Sequence, residues 1–262
     1  MGHSRIGTLP RTRWWDEVVD LIAGDANVRQ VADTTLWAAQ KALATVVNDV
    51  GFREAMYLAV QLALAGREKD AAEHMAGVGV ELGNRFSAVD VASALSAALD
   101  HQMAGRGNRE DWGEMARETL VSAACDYLSS SGQSLFEATR SDLTANLSRL
   151  HREKEFGEFG KKFFGMLANK CLNYFLSKTL GTHVGAGRRF ATMNELKHFK
   201  EAMTTHCHEA AEIVQKFSGQ WLQKKLRENG GKVTREDAEK FGWNAIRKMR
   251  IEIARRARRN GK

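Results

Sequence analysis

The near absence of proline is the feature that most restricts the folds open to this chain. Its 262 residues include a single proline, Pro10. Strand edges and turns often use proline, whereas a helix interior excludes it because proline lacks the N–H donor and clashes with the preceding turn. Apolar residues also recur at helical spacing along most of the chain. The sequence therefore predicts an all-α protein, with about ten helices in one or more multi-helix bundles.

The charges divide the chain into two unlike halves. Residues 1–134 carry 12 Lys and Arg against 18 Asp and Glu, a net charge of −6, whereas residues 135–262 carry 27 against 14, a net charge of +13. The switch coincides with small polar residues over 129–133, which are typical of a boundary. We therefore expect an acidic helical bundle over residues 1–132 and a basic one over 133–262. Whether these are separate domains, or whether the acidic half simply docks on the basic half, stays open.

The cysteines and the N-terminal residues favour a reduced intracellular compartment. Cys125, Cys171 and Cys207 are odd in number and far apart, so they predict neither a disulfide framework nor a zinc ribbon. The N-terminal residues lack the apolar segment of a signal peptide, and no run of about 18 apolar residues is present to span a bilayer. His206 and His208 are two residues apart, so on a helix they point in different directions and cannot bind the same metal ion. We expect a soluble cytoplasmic protein without a metal or cofactor.

The last predicted helix concentrates basic residues. Thr234 and Asp237 are placed to cap it, and it follows a helical tract over 193–228 in which Gly219 is the candidate break. An apolar stripe from Ala238 to Ile253 predicts that one face docks on the protein while the arginines point outward. Such residues suit contacts with phosphate groups, and Trp243 adds a stacking surface. The candidate nucleic-acid-binding residues are Arg247, Lys248, Arg250, Arg255, Arg256, Arg258 and Arg259.

A glycine-rich loop ahead of the 193–228 tract supplies a second basic patch. Residues 181–190 contain three glycines, Gly181, Gly185 and Gly187, together with Arg188 and Arg189. A glycine-rich loop before a helix can hold an anion, but GxGxxG is incomplete here and no strand precedes it. The pattern therefore predicts contact with an anion rather than a nucleotide pocket.

Aromatic residues and lysines alternate in a helix expected over about residues 155–180, which Gly181 is placed to end. Gly157, Gly160 and Gly165 are unfavourable within a helix, so they mark either a flexible start or close contacts with other helices. Core packing or a subunit interface explains the aromatic residues more simply than a membrane surface does. The sequence thus leaves room for an oligomer formed through this aromatic helix.

Arg67 and His74 are separated by six residues just after Gly66. This R-x6-H spacing resembles the motif of HEPN-type ribonucleases, which are small all-helical bundles. The resemblance implies that the arginine positions phosphate and that the histidine serves in RNA cleavage.

Three functional hypotheses follow from these features. The preferred one is a non-enzymatic subunit of a larger assembly that binds the nucleic-acid backbone, DNA or RNA, through the basic half. The second is a helical ribonuclease that uses Arg67 and His74. The third is a pure interaction protein whose basic face meets an acidic protein subunit. The sequence does not distinguish DNA from RNA, and it names no partner, sequence preference or pathway.

Overall fold

The computed structural model of the protein describes residues 13–24, 26–83, 87–104, 111–129, 140–228 and 230–260. The protein is all-α, as the scarcity of proline predicts. Within those ranges the chain forms twelve α-helices and one turn of 3-10 helix. The β-structure there is limited to an isolated bridge between Val184 and Phe190.

Short connections join most of the helices. None of those described is long and apolar enough to cross a bilayer. The 3-10 turn, Val46–Asn48, lies between α3 and α4. In chain order the α-helices are α1 Arg13–Ala23, α2 Val28–Ala38, α3 Gln40–Thr45, α4 Val50–Ala65, α5 Ala71–Ala76, α6 Ala88–Ala104, α7 Asp111–Leu128, α8 Arg140–Leu150, α9 Glu153–Thr182, α10 Met193–Ala210, α11 Glu212–Glu228 and α12 Arg235–Asn260.

The aromatic helix α9 lies inside the fold. Phe156 and Phe164 both pack against Phe241 of α12, with ring centroids 5.7 and 6.1 Å apart. The prediction of core packing is confirmed. The expectation of an oligomer through residues 155–180 stays a prediction, and the phenylalanines of this helix lie in the chain's own core. The buried phenylalanines of α9 are Phe156, Phe159, Phe163, Phe164 and Phe175.

Glycines bring α9 and α11 into close contact. A Cβ at Gly157 would lie 2.7 Å from a backbone carbonyl oxygen of α11, and one at Gly160 would overlap the side chain of Ser218. Gly219 of α11 in turn lies against the backbone of Glu153 in α9. Of the two explanations that the sequence allows for these glycines, the structure shows close helix contacts.

Two helix ends differ from those predicted. Gly181 keeps a helical backbone, so α9 continues through it to Thr182. The break in the 193–228 tract falls at Ala211 and not at Gly219. Ala211 has ψ −3°, which ends α10, whereas Gly219 lies within α11 because the contact with α9 requires its small size there.

The hydrophobic core runs through both charged halves. α12 packs against α2 and α4, and α9 packs against α7. Buried side chains from Val18 to Ile253 belong to one contiguous cluster. Each half therefore buries part of its apolar surface against the other. The predicted boundary between residues 132 and 133 lies outside the described residues.

Candidate nucleic-acid interface

The basic helix α12 begins at a reciprocal cap. The Thr234 hydroxyl accepts a hydrogen bond from the Asp237 backbone N–H at 3.1 Å and donates one to the Asp237 carboxylate at 2.9 Å. Burial opposes ionisation of Asp237, but hydrogen bonds from Lys225 and Thr234 hold its pKa below the usual range. The cap satisfies donors of the first turn that have no partner within the helix. The predicted start of the helix is confirmed.

One side of α12 anchors it to the protein. Phe241 stacks on Trp221 of α11 with ring centroids 4.5 Å apart. Gly242 lies against α4, where a Cβ would come within 2.7 Å of Met56. The predicted apolar stripe is confirmed, and its buried residues are Ala238, Phe241, Ala245, Ile246, Met249 and Ile253.

The opposite side of α12 presents alternating apolar and basic side chains to solvent. Trp243, Arg247, Ile251 and Arg255 follow one another at intervals of four residues, which places them along one face of the helix. Trp243 is 47% exposed, Ile251 is 59% exposed, and both arginines are exposed. The Arg247 guanidinium lies 5.3 Å from the centre of the Trp243 ring, a cation–π contact. We call these four residues the outer stripe.

Two of the predicted basic residues are exposed and unpaired. In the part of the chain that the structure describes, no carboxylate lies within salt-bridge distance of Arg247 or Lys248. Lys248 rests on an aromatic ring of α11, with 5.1 Å between its Nζ and the ring centre. Arg250 is half-buried, and its Nε has no hydrogen-bond partner among the described residues. The side chains of Arg258 and Arg259 lie outside the described residues.

The next two arginines share one carboxylate. Arg255 Nη2 lies 2.9 Å and Arg256 Nε 3.0 Å from Glu252 Oε1. Burial raises the pKa of Glu252, but the hydrogen bonds and charges of these two arginines outweigh burial and hold that pKa below the usual range. Arg256 also donates to the carbonyl oxygen of Glu209 at 3.0 Å. Arg256 therefore ties α12 to α10, whereas Arg255 keeps an exposed guanidinium.

The two arginines of the second predicted patch, Arg188 and Arg189, make different contacts. Arg189 is half-buried and donates to the carbonyl oxygens of Ile22, at 3.3 Å, and Ala26. Its guanidinium also lies over two phenylalanine rings. Arg188 is exposed and donates to a carbonyl at the end of α9. The donors of Arg189 are therefore used within the protein, and the prediction that both arginines contact a ligand stays a prediction.

Arg67 contacts the turn that precedes α12 directly, and His74 is linked to that turn through Gln61. Arg67 Nη1 lies 3.5 Å from Gly231 O, and His74 Nε2 lies 3.0 Å from Gln61 Oε1. Gln61 Nε2 donates to Val233 O at 3.2 Å, so its Oε1 must accept the proton of His74 Nε2. The ribonuclease hypothesis stays a prediction.

Sequence reasoning did not single out His151, which lies between α8 and α9. Its pKa is lowered by burial and then by the positive charges of Arg67 and Arg152. The available signal in the sequence was the basic run from Arg149 to Arg152 at a helix junction. Nothing in the sequence indicated that Arg67, more than eighty residues earlier, lies close to it.

Ion pairs between the two halves cancel little of the charge asymmetry. Among the described residues, three salt bridges join a lysine or arginine of the second half to an acid of the first: Lys162–Asp126, Lys170–Glu118 and Arg235–Glu54. Two more join an arginine of the first half to an acid of the second, Arg29–Glu209 and Arg53–Glu239. These pairs therefore leave most of the +13 charge of residues 135–262 without an acid from the first half.

A cleft of about 880 Å³ lies between α7, α9 and α10. Lys162 and Lys170 line it, paired with Asp126 at 2.7 Å and with Glu118 at 2.5 Å. His208 lies in the same cleft, and burial together with nearby lysines lowers its pKa. Because both lysines of the cleft are paired, it offers neither as a free cation for an anionic ligand.

Comparison of the chain with protein-family models, with curated proteins and with solved structures gave no match. Its function must therefore be inferred from the geometry and charge of its own surfaces.

Proposed function

We propose that the protein is a non-enzymatic subunit of a larger assembly and that it binds the nucleic-acid backbone through α12. The contacting surface is the outer stripe together with Lys248. One observation carries the proposal: Arg247 and Lys248 are exposed without a described acidic partner, beside the exposed Trp243, on a helix anchored along its other side.

Each part of this surface has a defined contribution. Arg247 and Lys248 neutralise phosphates and release counterions, which gives affinity without reading sequence. An exposed indole such as that of Trp243 stacks on a base, and such stacking contributes about 1–3 kcal/mol per base. Because the inner side of α12 is packed in the core, these groups are held in place before binding, which reduces the entropy lost on association.

An acidic protein surface is the main competing partner, since it also matches exposed cations. The arrangement along the outer stripe favours nucleic acid over that partner. Trp243 and Ile251 alternate with Arg247 and Arg255, so flat or apolar surface lies one turn from each charge. Each nucleotide of a nucleic-acid strand offers a base beside a phosphate, so one strand can engage both the indole and the cations.

Binding of labelled single-stranded and double-stranded DNA and RNA at low salt tests the proposal. The test variant carries Arg247→Glu and Lys248→Glu. The matched control carries Lys197→Glu and Lys200→Glu, which make the same charge change at two exposed lysines of α10. We expect wild type and control to bind at least one of these nucleic acids and the α12 variant to lose most of its affinity.

Equal affinity of the two variants would show that α12 is not the contact surface. Absence of binding by wild type at low salt would transfer the assignment to an acidic protein partner. Incubation of the same RNA with wild type and with His74→Ala tests the ribonuclease alternative, and equal cleavage by the two proteins would exclude it.

A further inference from the structure

A second group of cations converges near the N-terminal end of α12. Arg67 follows α4, and its Nη1 lies 3.5 Å from the carbonyl oxygen of Gly231, in the turn ahead of α12. A Cβ at Gly66 would overlap the backbone carbonyl of Leu147, so the end of α4 lies directly on the last turn of α8. Arg67 is thereby placed between the α8–α9 junction and the α11–α12 turn.

Hydrogen bonds bring the end of α11 to the same place. Gln223 Nε2 donates to the carbonyl oxygen of His151 at 2.6 Å. One turn later, Arg227 Nε donates to the carbonyl oxygen of Gln223 at 3.2 Å. Three segments distant in sequence therefore meet around His151: the end of α4 with Arg67, the α8–α9 junction with Arg152, and the end of α11, where Arg227 bonds to the same Gln223 that contacts His151.

These arginines have no acidic partner in the described part of the chain. No carboxylate there lies within salt-bridge distance of Arg67, Arg152 or Arg227. The neighbouring acids along the chain are Glu68, Glu153 and Glu228. Glu228 is held by Lys224 at 3.6 Å and by Lys225 at 3.5 Å, and the other two are exposed without a described salt bridge.

The histidine at the centre of this group reports the uncompensated charge. His151 is partly buried, and its Nδ1 is closed off from solvent. A hydrogen bond with the backbone of Ser148 favours the protonated ring but does not offset the effects that oppose it. Burial and the charges of Arg67 and Arg152 lower its pKa. An anion bound here would relieve repulsion among the cations and allow the ring to take a proton.

We propose that this junction is a phosphate-binding site, separate from the outer stripe, formed by Arg67, His151, Arg152 and Arg227. Guanidinium groups offer several N–H donors in a planar fork that matches phosphate oxygens, and a phosphate group carries more charge than a carboxylate to balance three arginines. The phosphate comes either from a small molecule or from the backbone of a nucleic-acid strand.

Titration of His151 by NMR in the full-length chain tests the site. The ring resonance is assigned by its loss in His151→Gln. Its pKa is measured in sodium chloride, in inorganic phosphate at the same ionic strength, and with a short single-stranded DNA in phosphate-free buffer. We expect phosphate to raise the pKa of His151 by about one unit, because a nearby negative charge favours the imidazolium. Arg152→Ala and Arg227→Ala should abolish that response, and Arg188→Ala, an exposed control, should retain it.

A response to inorganic phosphate supports a site for a free phosphate group, and a response to the oligonucleotide alone supports a site for backbone phosphate. Identical titration of His151 in all three solutions would overturn the proposal. The readout is the His151 ring itself, so repeating the measurement in the variant with Arg247→Glu and Lys248→Glu separates this site from the proposed function of α12.

Discussion

His206 and Asp33 form a buried pair that joins α10 to α2, with 2.7 Å between His206 Nε2 and Asp33 Oδ1. The side chains are 5% and 3% exposed. One turn further along α10, the Glu209 carboxylate accepts a hydrogen bond from Arg29 at 2.9 Å, and its carbonyl oxygen accepts one from Arg256. The pair therefore lies beside the contacts that fix the basic end of α12 to the rest of the protein.

Replacement of Asp33 should destabilise the protein. In Asp33→Asn the buried imidazole loses its negatively charged partner while keeping a neutral acceptor. We expect the free energy of unfolding to fall by about 2 kcal/mol. Urea denaturation measures it. Stability within about 0.5 kcal/mol of wild type, the range of ordinary surface substitutions, would mean that the pair contributes little.

Enlargement of Gly219 should also destabilise the protein, because its Cα lies against the backbone of Glu153. Backbone atoms cannot move aside as a flexible side chain does, so Gly219→Ala should lower the free energy of unfolding by about 1–3 kcal/mol. Gly181→Ala is the matched control in the partner helix, since nothing lies within 4 Å of a Cβ there. Denaturant unfolding should show the control to be at least as stable as wild type. Equal destabilisation of both variants would contradict the close contact of α9 and α11.

The lowered pKa of His208 predicts that the protein loses stability in mild acid. Burial and then the charges of Lys162 and Lys161 lower its pKa from the ordinary value of 6.5. The unfolded chain therefore takes up this proton at a higher pH than the folded chain. The contribution of His208 to stability is complete above pH 6.5 and is lost as the pH falls below that value. His208→Gln should lose less stability than wild type between about pH 7 and pH 5. Parallel stability curves for the two proteins would contradict the lowered pKa.

Trp243 should contribute to binding but not to folding. With 47% of its surface exposed, Trp243→Ala removes few core contacts. If a base stacks on the indole, the variant should lose about 1–3 kcal/mol of binding free energy for a single strand, and Trp243→Phe should keep part of it. Fluorescence anisotropy with a labelled oligonucleotide measures the effect. Unchanged affinity of Trp243→Ala would remove stacking from the account.

Local signals in the sequence were enough to predict the helices and the orientation of α12. The scarcity of proline predicted the fold class, and the Thr234 cap and the apolar stripe predicted where α12 begins and which side it buries. These properties depend on residues within a few turns of one another. The position of the break in the 193–228 tract was not predictable in this way. Gly219, the expected break, lies within a helix because contact with Glu153 of a different helix sets the size required there.

The contacts of individual arginines could not be predicted from the sequence for the same reason. Arg188 and Arg189 are adjacent, yet Arg189 alone donates to carbonyl oxygens at the α1–α2 connection, more than 160 residues earlier. Arg256 is likewise turned toward Glu209, whereas Arg255 faces solvent. Composition predicted a basic surface, but only the packing of distant segments decides which of its charges stay available to a partner.

The salt dependence of nucleic-acid binding tests the central claim most directly. Affinity is measured against salt concentration for wild type, Arg247→Ala, Lys248→Ala and the control Lys197→Ala. Each phosphate contact adds about one unit to the slope of the logarithm of affinity against the logarithm of salt concentration. We predict that Arg247→Ala and Lys248→Ala each reduce the slope by about one and that Lys197→Ala leaves it unchanged. A common slope for all four proteins would contradict the assignment of α12 as the nucleic-acid-binding surface.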